Sequence, residues 1–157
     1  MIDNVIFRRL FSWVAIAFTI FLATTTSVQA AKLPEAIMYR DPACTCCGAW
    51  MKHLQSQGFT VKNVPTADMI AFKQKQGVTD DLASCHTAII DGYVVEGHVP
   101  SDDIKRLLAQ KPDIRGIAVP GMVVGSPGME MGDKKDSYAV VSFDKRGQTK
   151  VFKQYSF

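Results

Sequence analysis

Cys44, Cys46 and Cys47 place three of the chain's four cysteines within four positions of Asp41-Pro42-Ala43-Cys44-Thr45-Cys46-Cys47-Gly48-Ala49-Trp50. A thiolate is a nucleophile and a soft-metal ligand. Two kinds of chemistry are therefore on offer: thiol–disulfide exchange and the binding of a soft cation such as Cu(I). A purely structural disulfide explains the motif poorly, because three thiols so close together leave one unpaired. Adjacent Cys46 and Cys47 do not easily chelate one ion together with Cys44 in tetrahedral geometry. They can bridge between ions, which suits a copper cluster better than a lone zinc, whose sites more often show separated Cys-x-x-Cys or Cys/His knuckles. Zinc stays as the less favoured metal, since the fourth cysteine, Cys85, stands next to a histidine, His86. Met122, Met129 and Met131 lie in a Gly- and Pro-rich stretch without periodicity. There they either fold onto the core, meet a partner, or offer thioether sulfur to copper. Met129 and Met131 share a side if their backbone is extended.

The elements that must position these groups are legible. Ala36 to Tyr39 is an apolar strand. Cys47, Trp50, Met51 and Leu54 fall at i, i+3, i+4 and i+7, the stripe of a helix that Gly58 ends. The thiols thus sit where a strand hands over to a helix N-terminus, where free N–H groups and the helix dipole favour negative charge. Thr60 to Val64 reads as a second strand. A helix follows, with Thr66 as its cap, Asp68 in its first turn, Met69, Ile70 and Phe72 on its apolar face, and Gly77 at its end. Lys73 and Lys75 read as its solvated side. Asp91-Gly92 between Ala88–Ile90 and Tyr93–Val95 marks a hairpin. Ser101-Asp102-Asp103 caps a further helix that buries Ile104, Leu107 and Leu108, and Lys111-Pro112 stops it. After the loop at 121–132, Ser137 to Phe143 and Lys150 to Tyr155 read as two strands joined at Arg146-Gly147. Met51, Met69 and Trp50 are expected in the core, and His53 in solvent.

With 157 residues, 47% of them hydrophobic and 21% charged, the chain suits a globular domain with a real core. Its first thirty residues stand apart. Arg8 and Arg9 precede the apolar run Leu10 to Ala23, and Val28-Gln29-Ala30 fits a cleavage site, so residues 1–30 read as a secretory signal peptide cut after Ala30. Residues 31–157 then form one domain, without internal repeats and with no membrane attachment after cleavage. Its charge is close to neutral, and no basic run suggests nucleic acid. Export implies an oxidising compartment, where thiols pair or are held by metal or a redox partner.

The order strand, cysteine helix, strand, helix, hairpin, helix over Ala36 to Gln110 resembles the thioredoxin fold. The expected architecture is α/β: a central mixed sheet flanked by helices, with an added C-terminal Gly/Met loop and β-hairpin. In that fold a cis-proline followed by threonine faces the redox cysteines; here Thr87 matches the threonine, and His86 stands in place of the proline. The motifs Cys44-x-Cys46-Cys47, Cys85-His86, Glu96-Gly97-His98-Val99-Pro100, Ala118-Val119-Pro120-Gly121-Met122 and Ser126-Pro127-Gly128-Met129-Glu130-Met131 together resemble the periplasmic copper-associated family typified by CopG, long catalogued as a domain of unknown function.

The resemblance implies a periplasmic copper-resistance protein. It would bind Cu(I), including several ions together, through the cysteine motif and neighbouring ligands, with an oxidoreductase role on copper proposed for the family. It also implies Cys85 as a ligand or as the disulfide partner of one of the first three cysteines, and His86 and His98 as ligands. Other periplasmic copper-handling proteins or a redox partner would be its partners. The alternative from another class is a periplasmic thiol–disulfide oxidoreductase acting on proteins, with Cys44 as nucleophile and Cys47 as resolving thiol.

Overall fold

The computed structural model describes residues 32–157; the expected signal peptide lies outside them. Residues 33–157 build one mixed sheet of seven strands, β1 (Ala36–Arg40), β2 (Val61–Pro65), β3 (His86–Ile90), β4 (Tyr93–Glu96), β5 (Gly116–Ala118), β6 (Tyr138–Phe143) and β7 (Thr149–Tyr155), in the order β2-β1-β3-β4-β5-β6-β7. β1 runs parallel to β2 and antiparallel to β3, and β3 is antiparallel to β4. That connectivity is compatible with the thioredoxin-like arrangement. The C-terminal hairpin is not an appendage: β5 pairs parallel with β4, and β6 and β7 continue the same sheet.

Alternation along the strands divides the two faces. Met38, Ala88, Val95, Ile117 and Val140 point to one face, where they meet Trp50 and Leu54 of α1 (Cys47–Ser56) and Ile104 and Leu107 of α3 (Ser101–Gln110). Val94, Ala118 and Phe143 point to the other, with Val78 and Leu82. On that side Tyr39 stacks on Phe72 of α2 (Met69–Gln76) at 4.1 Å. The Asp91-Gly92 turn has φ of 49° and 83° at its two centres, which is why glycine stands at the second.

Three local expectations are corrected. Thr66 does not cap α2: its hydroxyl donates to the Val64 carbonyl, and Asp68 is the cap, its carboxylate accepting the Ala71 N–H at 2.9 Å. Ile70 is 72% exposed, because Met69 alone of α2 is buried. Ser101 is the first residue of α3 rather than its cap; Pro100 holds that place, without a side-chain hydrogen bond.

Candidate metal centre

The register of β1 against β3 sets the site. Arg40 pairs with His86, so the residue before His86, Cys85, is carried to where the chain leaves β1 for the cysteine loop. That loop is pinned. The Arg40 guanidinium donates to the Asp41 and Pro42 carbonyls at 3.0 Å, and the Asp41 carboxylate accepts the Ala43 N–H at 2.7 Å. Cys46 is the N-cap of α1 and Cys47 its first residue, so the thiols sit at a helix N-terminus as the sequence predicts.

Cys44 and Cys47 are joined by a disulfide. Cys46 and Cys85 are free, with their sulfurs 3.2 Å apart, and the Cys46 sulfur lies 3.6 Å from that of Cys44. The sulfurs of Cys44, Cys46 and Cys85 all lie within 4.8 Å of one another, a spacing that could hold a metal ion. No imidazole nitrogen joins that trio at the same spacing among the described residues. Burial first, then the hydrogen bond with Cys46, pushes the Cys85 thiol up to about 12, so it is protonated at neutral pH in the metal-free protein.

The histidines form an adjoining group beneath α1. The ring of His86 packs against Trp50 at 4.3 Å and meets the edge of His98 at 5.0 Å. Both residues are fully buried. His98 Nδ1 lies 2.8 Å from the Pro127 carbonyl, while His98 Nε2 and both nitrogens of His86 have no hydrogen-bond partner. Burial holds His86 well below its ordinary 6.5, with the positive charge it would feel from His98 and Lys73 adding to the effect. Burial likewise lowers His98. These rings are neutral, and each has a lone pair for a metal. Buried polar atoms normally find partners; one lone pair from His86 and the Nε2 lone pair of His98, both unpartnered, fit a borderline cation such as copper or zinc.

The Gly/Met loop closes over this group. Gly128, at φ +83°, crosses α1 so tightly that a Cβ would lie 2.6 Å from the Trp50 nitrogen. Gly121 bridges Ser84, and Met122 is therefore one residue beyond the pair that precedes Cys85. Met122 is 62% exposed and Met131 60% exposed, while Met129 is half-buried.

Two features escaped the sequence reading. Lys73 is not on a solvated face: its ammonium pairs with the fully buried Glu96 carboxylate and lies 3.0 Å from the Thr87 hydroxyl. Glu96 also accepts the Thr87 hydroxyl at 2.6 Å and the Ser84 N–H at 2.7 Å, which fixes the chain just before Cys85. The signals were an acid ending the apolar strand Tyr93-Val94-Val95 and a lysine four residues after buried Met69. His53, in turn, is half-buried rather than solvent-exposed, because its Nε2 accepts the Ser101 N–H at 3.2 Å and ties α1 to the start of α3.

A family model described as a protein of unknown function, DUF411, matches residues 82–129, a segment that includes the Cys85-His86 dipeptide and ends at Met129. No curated protein matches the chain. Two solved structures, titled copper resistance protein copG in Form 2 and Form 1, are each 48% identical, with a TM-score of 0.76. The alignments cover 79% and 80% of this chain and 99% of each of those chains. With its α/β architecture matching over nearly the full length of those relatives, the chain belongs to the CopG copper resistance family.

Proposed function

We propose that this is a periplasmic copper-binding protein of copper resistance, which takes Cu(I) as cargo in a multinuclear arrangement. Reduction of the Cys44–Cys47 disulfide by two electrons makes four thiols available: Cys44, Cys46, Cys47 and Cys85. These bind as thiolates and release protons as metal arrives. His86 and His98 supply imidazole nitrogen beside them, and Met122, Met129 and Met131 serve as outer thioether donors. The observation that carries this reading is the cluster of three sulfurs together with two buried imidazoles, His86 and His98, that keep unpartnered nitrogens, His86 following Cys85 directly in the chain. The relatives' copper-resistance titles support it.

The test is Cu(I) titration of the reduced protein under anaerobic conditions against a competing chelator, with metal analysis of the product. Several coppers per chain are expected, lost when Cys44, Cys46 and Cys47 become serine. Retention of zinc in preference, or no copper against a weak chelator, overturns the reading. A second reading, a thiol–disulfide oxidoreductase acting on proteins, is favoured by the Cys44–Cys47 bond at the start of α1. It predicts insulin reduction by metal-free protein, undiminished when His86 and His98 are replaced.

A further inference from the structure

Of the two free cysteines, Cys46 has close sulfur neighbours on two sides. One neighbour belongs to the disulfide: Cys44, at 3.6 Å. The other is the free thiol of Cys85, at 3.2 Å. Disulfides exchange when a thiolate reaches a bonded sulfur, through a mixed-disulfide intermediate. Here both the attacked sulfur and the resolving thiol lie at van der Waals distance from one residue, so exchange requires no large movement of the chain.

We infer that Cys46 is an exchange hub, through which the disulfide migrates within the molecule from Cys44–Cys47 to Cys46–Cys85. In the first step the Cys46 thiolate attacks the Cys44 sulfur. The Cys44–Cys47 bond breaks, and the electron pair leaves on Cys47, which takes a proton. In the second step Cys85, protonated at rest, first loses its proton to solvent and then attacks Cys46 as the thiolate. The transient Cys44–Cys46 bond breaks, and Cys44 leaves as the thiolate and is protonated. Two thiols and one disulfide are present before and after, so no outside oxidant or reductant takes part. The direction of entry follows from burial: Cys47 is fully buried, whereas Cys44, Cys46 and Cys85 are half-exposed.

The migration changes which sulfurs are free. In one isomer they are Cys46 and Cys85, bridging the helix tip and the strand that carries His86. In the other they are Cys44 and Cys47, both on the helix side. A single two-electron oxidation state thus presents two different dithiols to whatever binds there. This inference does not depend on copper and stands or falls separately from the metal reading.

The experiment uses metal-free protein carrying one disulfide. It is freed of small thiols, held under argon, quenched at intervals with an alkylating maleimide, and mapped by peptide mass spectrometry. The expected result is a mixture of isomers reached at a rate unchanged by dilution. Cys46–Cys85 should make up at least about a tenth of the population, which corresponds to pair potentials within about 30 mV. Cys44–Cys47 as the sole bond at all times, with Cys46 and Cys85 both alkylated, overturns the proposal. The variant Cys46→Ser should fold, since serine is a favoured helix N-cap, and should hold the disulfide at Cys44–Cys47. If Cys85 still bonds to Cys44 or Cys47 in that variant, at the wild-type rate of exchange, the hub role is refuted.

Discussion

A buried imidazole with neither nitrogen hydrogen-bonded lowers the stability of the fold that contains it, and His86 is such a residue. Replacing it with leucine removes the unsatisfied atoms. The metal-free variant is therefore expected to gain about 1–3 kcal/mol in urea unfolding, while losing Cu(I) affinity. The opposite sign in the unfolding experiment would mean that the nitrogens are partnered in solution and are not held in reserve for metal. Lys73 carries the reverse expectation. Lys73→Met leaves the Glu96 carboxylate buried without its cation, and a loss of about 3–5 kcal/mol is expected. The double variant with Glu96 also made apolar should recover much of it. Neither role was fully visible beforehand. The motif and the family resemblance pointed to His86 as a donor, but its burial and its lack of partners depend on Trp50 and His98, which reach it only through the fold. Lys73 looked solvated because, in the stretch Lys73-Gln74-Lys75-Gln76, nothing local signals a carboxylate 23 positions away.

At the level of elements, the local signals placed the helices and strands but misassigned two of their caps, and the non-local pairings were not legible. The cysteine helix, the Asp91-Gly92 hairpin and the β6–β7 pair were readable because period, turn chemistry and alternation all lie within a few residues. β5 is only three residues long, and its place between β4 and β6 rests on pairings to distant strands, so the extension of the sheet was not foreseen. The path of the Gly/Met loop was likewise hidden until α1 was in place beneath it. Gly128 offers a test of that contact. Alanine there meets both an unfavourable φ of +83° and the Trp50 backbone at 2.6 Å. Gly128→Ala is therefore expected to destabilise the protein by about 1–3 kcal/mol in thermal or urea unfolding. A neutral result would show that the loop does not seal the histidine pair.

Across the whole molecule, the histidines make stability depend on pH. Burial lowers His86, His98 and His53 from an ordinary 6.5. Lys73 faces His86, Glu130 faces His98, and Glu130, Asp102 and Lys105 face His53. The unfolded chain takes up protons at these rings that the fold refuses, and stability rises with pH wherever the unfolded state binds more protons. The metal-free protein should therefore weaken as pH falls from about 7 toward about 5, with these rings contributing no slope above that window. Urea midpoints measured across the range check this, and His86→Leu should flatten the trend. The Cys44–Cys47 bond has a different bearing on the whole. It closes a ring only three residues apart in sequence. So short a ring restricts the unfolded chain little, worth about 2 kcal/mol against nearly 5 for a hundred-residue loop. The bond resembles a latch on a door rather than a beam in the wall: the seven-stranded frame does not rely on it to stay upright.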